Sequence, residues 1–186
     1  MDFPLPEAGA CARQSGFSLL EFLVAVAIAG IVLGLGVPSF QLLQRHTRLE
    51  TTTDRLMTHL LMARNHAISH GVRVTICPLA GDACGGTGDW TNGWMIFEDV
   101  DENRIPDSGE RIIAKHAVAA DTLRIRFHGS YAYLYYRTNG LGWPNATFRI
   151  CDHDDEIDGM QVVVRRNGRP RLAQPGDAPV DCGGAD

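Results

Sequence analysis

The sequence predicts an α+β protein in which a long N-terminal helix, apolar in its first half and amphipathic in its second, lies across antiparallel β-sheets. Three observations carry this. Residues 17–37 form an apolar run whose only charge is Glu21. Beyond Pro38, apolar residues recur at steps of three and four, the period of one helix face. From Val72 onward, short alternating runs are separated by Gly, Asn, Asp and Pro, as antiparallel strands are.

The apolar run covers about 21 residues, roughly 31 Å at about 1.5 Å per helical residue, which is enough to cross a bilayer core. It reads as a membrane-spanning helix. A carboxylate near the start of such a helix is costly while it is charged and unpaired, so Glu21 calls for a partner. A cut between Gly16 and Phe17 would supply one, an α-amino group about one helical turn away on the same chain or a packed neighbour. Gly16, Phe17 and Glu21 ahead of an apolar helix, with Pro38 after it, resemble the type IV prepilin signature. The resemblance implies a prepilin peptidase that removes residues 1–16, methylation of the Phe17 amine, and Glu21 setting register in a filament. It implies an inner-membrane precursor spanning at 17–37, a periplasmic or extracellular domain at 38–186, and other major and minor pilins as partners at the cell surface. A secretory signal would have a shorter apolar core and a small-residue cut site after it, which AGIVLGLGVPSF supplies poorly.

In the second half of the helix, Leu42, Leu49, Thr53, Leu56, Leu60, Ala63 and Ala67 define the stripe that needs burial, and Gly71 supplies the C-cap. Pro38 kinks the helix without dividing it. Val72, Val74 and Ile76 alternate with Arg73, Thr75 and Cys77, the period of a half-buried strand. Further strands are expected at 94–98, 112–118, 123–127, 131–136, 147–151 and 161–166.

The segments LLMARNHAISHGVRVTICP, WTNGWMIFEDVDENR and SGERII resemble the GspH/FimT family of minor pilins and pseudopilins, with similarity from Phe17 to about Leu172. The implied fold is pilin-like. Some members of that family prime or cap a type IV pilus or secretion pseudopilus, and FimT members are linked to DNA uptake in natural transformation.

The formal net charge is −5, and Asp2, Glu7 and Arg13 make the leader acidic by one. An acidic whole does not look like a nucleic-acid binder, so such a function needs a local basic cluster. Five cysteines become four when Cys11 leaves with the leader. In an oxidising compartment four favour disulfides, with three pairings possible. We take Cys77 with Cys84, closing a small Gly-rich loop, and Cys151 with Cys182, pinning the C-terminal tail.

The basic cluster is Arg165, Arg166, Asn167, Gly168, Arg169, Pro170 and Arg171. Asn-Gly after the alternating QVVVRR is a turn signal, so the arginines sit on or beside a hairpin tip. Arginine forks bind phosphate bidentately, a glycine lets a backbone approach it, and neither contact reads sequence. Gly168, Arg169, Pro170 and Arg171 also match the G-R-x-R motif of DNA-binding FimT proteins. Four neutralised phosphates give a salt slope of about −3.6, or about 150-fold weaker binding between 50 and 200 mM salt.

Asp99, Asp101, Asn103, Asp107 and Glu110 copy the spacing of an EF-hand calcium loop, but Arg104 stands where the sharp turn wants glycine. A polar loop with local Asx turns is the simpler reading. The acidic run Asp152, Asp154, Asp155, Glu156 and Asp158 reads as a solvated loop, His66 and His70 as a surface pair, and the Tyr131–Tyr136 region as strand core. No nucleophile elbow, phosphate loop or triad order is present in the sequence, so neither an enzyme nor a cofactor is expected. The sequence thus points to a minor pilin binding DNA phosphates. The alternative is a FimU- or GspH-like structural subunit that primes pilus or type II secretion pseudopilus assembly without DNA.

Overall fold

The structure, a computed structural model, describes residues 18–119, 122–154 and 157–182, except for the side chains of 35–39. Helix α1 runs Leu19–His70 and passes through Pro38. Its start has a local cause: Ser18 Oγ accepts the N–H of Glu21 at 3.2 Å and the Ser18 carbonyl accepts that of Phe22 at 3.1 Å, an N-cap. Its end is Gly71 at φ 64°, as the C-cap reading expects.

The chain divides into two compact units at Leu42/Leu43. In the first, apolar side chains are exposed all round the helix, from Leu19, Leu20 and Phe22 to Ile31, Val32 and Leu33. Such a helix has no single core-facing stripe. Among the described residues no helix is long and apolar enough to cross a membrane; Phe17 and the side chains of 35–37, part of the expected span, lie outside them. Gly16 and Phe17, the expected cleavage and methylation positions, lie outside them too. Leu42, expected in the buried stripe, is 45% exposed and closes the first unit.

The second unit holds the sheets. Strands β1 (Val74–Ala80), β2 (Ala83–Cys84), β3 (Gly93–Glu98), β4 (Ile112–Ala117), β5 (Leu123–His128), β6 (Leu134–Tyr136), β7 (Gly142–Trp143), β8 (Ala146–Asp152), β9 (Met160–Val164) and β10 (Pro170–Leu172) follow in order. One sheet runs β4-β3-β1-β6-β7 with β2 attached to β1; the other runs β10-β9-β8-β5. The pairings within both sheets are antiparallel.

Leu49, Leu56, Leu60, Ala63 and Ala67 of α1 are buried with Val74, Ile76, Ile96, Ile125, Leu134, Phe148 and Val162 in one core. Thr53 joins the stripe because its hydroxyl donates to the Leu49 carbonyl at 2.8 Å, which satisfies it inside the core. Trp90, Phe127 and Phe148 fill the core as an aromatic triangle, with centroids 4.9–5.2 Å apart.

Strand β1 departs from the half-buried pattern: Val74 through Leu79 are all buried. Its other face contributes Cys77 and Leu79 to a second cluster with Met95 and Phe97 of the neighbouring β3, joined by Cys84 and Tyr133. Both disulfides pair as expected, Cys77 with Cys84 and Cys151 with Cys182, at Cα separations of 5.5 and 5.7 Å. Strand β6 is shorter than expected, and β9 stops at Val164 because Arg165 already begins the turn.

Candidate nucleic-acid interface

Strands β9 and β10 pair Val164 with Pro170, Val163 with Arg171 and Val162 with Leu172, so 165–169 form the hairpin tip. The tip is a turn closed by the Gly168 N–H on the Arg165 carbonyl at 2.8 Å. Asn167 Oδ1 accepts the Arg169 N–H at 3.1 Å, an Asx contact that fixes the next residue. A second Asn-Gly turn has the same chemistry: Gly140 N–H donates to Arg137 O at 2.7 Å, and Leu141 N–H to Asn139 Oδ1 at 3.1 Å.

The two turns abut. Gly168 has φ 72° and is buried, and a Cβ there would lie 2.0 Å from the Gly140 carbonyl oxygen. That oxygen also accepts Arg64 Nε–H at 3.1 Å, while a Cβ on Gly140 would lie 2.7 Å from Ile68 Cδ1. The helix therefore seats the first turn and the first turn seats the hairpin. Gly168 is needed for this backbone contact; being buried, it does not present an open backbone to a phosphate.

The four arginines divide. Arg171 donates from Nη1 and Nη2 to the two carboxylate oxygens of Asp177, at 2.6 and 2.9 Å. The Arg171 fork and the Gln174 N–H, at 2.8 Å, hold the Asp177 carboxyl well below the usual carboxylate range. Arg171 is thus occupied, and its fork ties residues 174–177 to the hairpin. The expected set of four phosphate-facing forks is reduced by this pair. Arg165 reaches Asp177 only at 3.7 Å and stays 58% exposed. Arg166 lies over the Trp143 ring, 5.3 Å from its centroid. Arg169 is exposed, and its guanidinium makes no hydrogen bond or ion pair among the described residues. Arg165, Arg166 and Arg169 form a cationic tip with three forks facing solvent.

The other singled-out groups lie elsewhere. Glu21 is exposed in the first unit. Asp99, Asp101 and Glu110 bring carboxylate oxygens within 4.8 Å of one another. The loop is largely self-satisfied. Asp99 accepts Thr75 Oγ–H at 2.5 Å and the Arg104 N–H at 3.1 Å, Glu110 accepts the Val100 N–H at 2.7 Å, and the Asn103 amide bridges Asp101 and Asp107. Arg104 takes φ 69° without being glycine.

The acidic run is not merely solvated: Asp152 is buried, and Arg45 on α1 donates to Asp152 at 2.8 Å and Asp154 at 2.7 Å. Asp155 and Glu156 lie outside the described residues, and Asp158 is exposed. His66 is likewise more than a surface residue, bonded to Glu98 at 2.6 Å and stacked on His70 at 3.9 Å. Sequence reasoning missed Asp177, Trp143 and the Gly140 turn. The TNG at 138–140 was the legible signal for the last; nothing periodic marks the other two.

A helix whose later half lies on antiparallel sheets, with an apolar first stretch interrupted by Glu21 and a disulfide-pinned tail, defines a pilin-type subunit. The family described as Type II transport protein GspH matches residues 52–168, the prokaryotic N-terminal methylation motif matches residues 11–37, and the chain belongs to the GspH family. It is a minor pilin or pseudopilin. Pilin-like protein PilA1 of Thermus thermophilus is 30% identical over 113 residues, covering 61% of this chain and 66% of that protein. The type IV minor pilin FimU of Pseudomonas aeruginosa shares the fold at TM-score 0.56 and 24% identity, over 74% of this chain and 97% of that one. The minor pseudopilin EpsH of the Vibrio cholerae type 2 secretion system does so at TM-score 0.52 and 15% identity, over 70% and 99%.

Proposed function

We propose that this minor pilin binds extracellular DNA without sequence preference, through phosphate contacts of its C-terminal hairpin, and serves DNA uptake in natural transformation. The observation that carries the reading is Arg169 at the hairpin tip, exposed and unengaged among the described residues, with Arg165 and Arg166 beside it in an otherwise acidic protein. The match of Gly168, Arg169, Pro170 and Arg171 to the G-R-x-R motif of FimT proteins supports it. Phosphate contacts position a duplex or strand and carry most non-specific affinity, which suits a receptor for any DNA. In this reading a prepilin peptidase removes residues 1–16, the Phe17 amine is methylated, and the precursor waits in the inner membrane. Glu21 then pairs with a neighbouring subunit's amine as the helix enters a filament.

A second reading, a structural minor pilin or pseudopilin without DNA, is favoured by the shared fold with FimU and EpsH. The two separate in cells. Arg169→Ala lowers DNA uptake while pili persist if the hairpin is the receptor. A structural subunit keeps both with Arg169→Ala and loses the filament when Glu21 is replaced.

A further inference from the structure

Resting on the DNA-binding reading, we propose that Trp143 is a nucleobase-stacking site that gives the hairpin a preference for single-stranded over duplex DNA. Of the three tryptophans, Trp90 and Trp94 are fully buried in the core. Trp143 is partly exposed and belongs to neither hydrophobic cluster. An indole left at the surface beside arginines is poorly explained by packing.

Its place is set by the hairpin. Trp143 pairs with Tyr135 across β6 and β7, and the neighbours of Tyr135 in β6, Leu134 and Tyr136, point into the core. Residues directly opposite in a sheet share a face, so Trp143 faces outward with Tyr135. The Gly142 N–H donates to the Arg166 carbonyl at 3.2 Å, which joins the tryptophan strand directly to the arginine turn. The Arg166 guanidinium covers one face of the indole in the free protein. An exposed arginine that moves to a phosphate leaves that face to the base attached to the same strand.

Duplex bases keep their π faces inside the stack, whereas single-stranded bases offer them to an aromatic platform. The platform is short. Tyr135 is 8% exposed and lies under Arg73, 4.3 Å from its centroid, and Tyr133 packs on the second cluster beneath Arg104. Beyond Tyr133 lies Tyr131, stacked on it at 5.4 Å and 49% exposed, so the tyrosines are covered next to Trp143 and open again only at their far end. Beside the arginine tip the open aromatic face is that of Trp143, room for one base.

The test uses the full chain in detergent, titrated with a single-stranded oligothymidylate, an abasic deoxyribose-phosphate strand of the same length, and a duplex, while tryptophan emission is followed. With Trp90 and Trp94 buried, quenching reports Trp143. Oligothymidylate is expected to quench emission and the abasic strand to bind without quenching. Trp143→Ala is expected to weaken oligothymidylate binding about tenfold and to leave duplex binding and its dependence on Arg169 intact. Trp143→Phe, which keeps an aromatic face, retains most of the preference. If Trp143→Ala leaves the ratio of single-strand to duplex affinity unchanged while Arg169→Ala still weakens both, this inference fails and the DNA reading stands. Absence of binding by every strand sinks both.

Discussion

Gly168→Ala adds a methyl group where the Gly140 carbonyl oxygen stands 2.0 Å from the new Cβ, so one of the two turns has to move. Two costs follow from the structure. At φ 72° an L side chain is in the left-handed region, worth roughly 1–2 kcal/mol. Displacing the Gly140 carbonyl also weakens the hydrogen bond it accepts from Arg64 at 3.1 Å, a bond to a charged donor of the kind that contributes about 1.5–3 kcal/mol. Together they give a loss of about 3 kcal/mol, or a melting temperature lower by about 6–12 °C for a domain of this size. Thermal unfolding followed by circular dichroism reads it. Gly81→Ala is the control: its φ is 64° with nothing within 4 Å of the added Cβ, so it carries the strain without the collision. If the two variants melt within about 0.5 kcal/mol of each other, Gly140 does not seat the hairpin and the account of the site is wrong.

Asp177→Asn releases Arg171 from its bidentate partner, so DNA binding is expected to strengthen and its salt slope to steepen by about one unit; an unchanged slope means Arg171 has no access to phosphate. Burial, then the nearby Arg55 charge, lowers the pKa of His59 and of His116, and Trp94 Nε1–H donates to His59 Nδ1 at 2.9 Å. The folded state therefore binds fewer protons there than the unfolded chain, whose histidines titrate near about 6.5, so stability is full above that pH and falls as pH drops through it. A melting temperature that declines from pH 7 to pH 5, with a smaller decline in His59→Gln, is expected; a flat profile contradicts it. Replacing Cys151 and Cys182 by serine opens the loop of sequence separation 31 and is expected to cost up to about 3.7 kcal/mol, against about 2.5 for Cys77 and Cys84. Denaturant unfolding of the two double variants checks the order, and the reverse order contradicts it.

The sequence carried the α1 stripe because a 3.6-residue period is a local property, and Leu49 to Ala67 are buried as that period requires. Leu42 fell outside it because the same spacing continues past the end of the packed domain. The strand expected at 123–127 is β5, whose burial alternates, but β1 was legible only as half-buried: the residues that enclose its other face, Met95 and Phe97 on β3 with Cys84 and Tyr133, arrive from other parts of the chain. Strands of two or three residues, such as β7 and β10, are too short to show a period. At the site, Asn167-Gly168 announced its turn through local chemistry. The roles of the arginines were not local. Arg171 and Arg169 read alike in sequence, and only the approach of Asp177 separates a positioning residue from a free fork. Arg45 likewise meets Asp152 across 107 residues, a pairing no window of sequence displays.

In the proposed function three solvent-facing forks, with Arg169 at their head, bind DNA phosphate. The most direct measurement is the affinity of the purified chain for a short DNA of mixed sequence as a function of salt, beside the same titration of Arg169→Ala. Three phosphate contacts predict a slope of about −2.7, some 40-fold weaker binding between 50 and 200 mM salt, and a slope of about −1.8 with lower affinity for the variant. A slope near zero, or a variant indistinguishable from the parent, would contradict it.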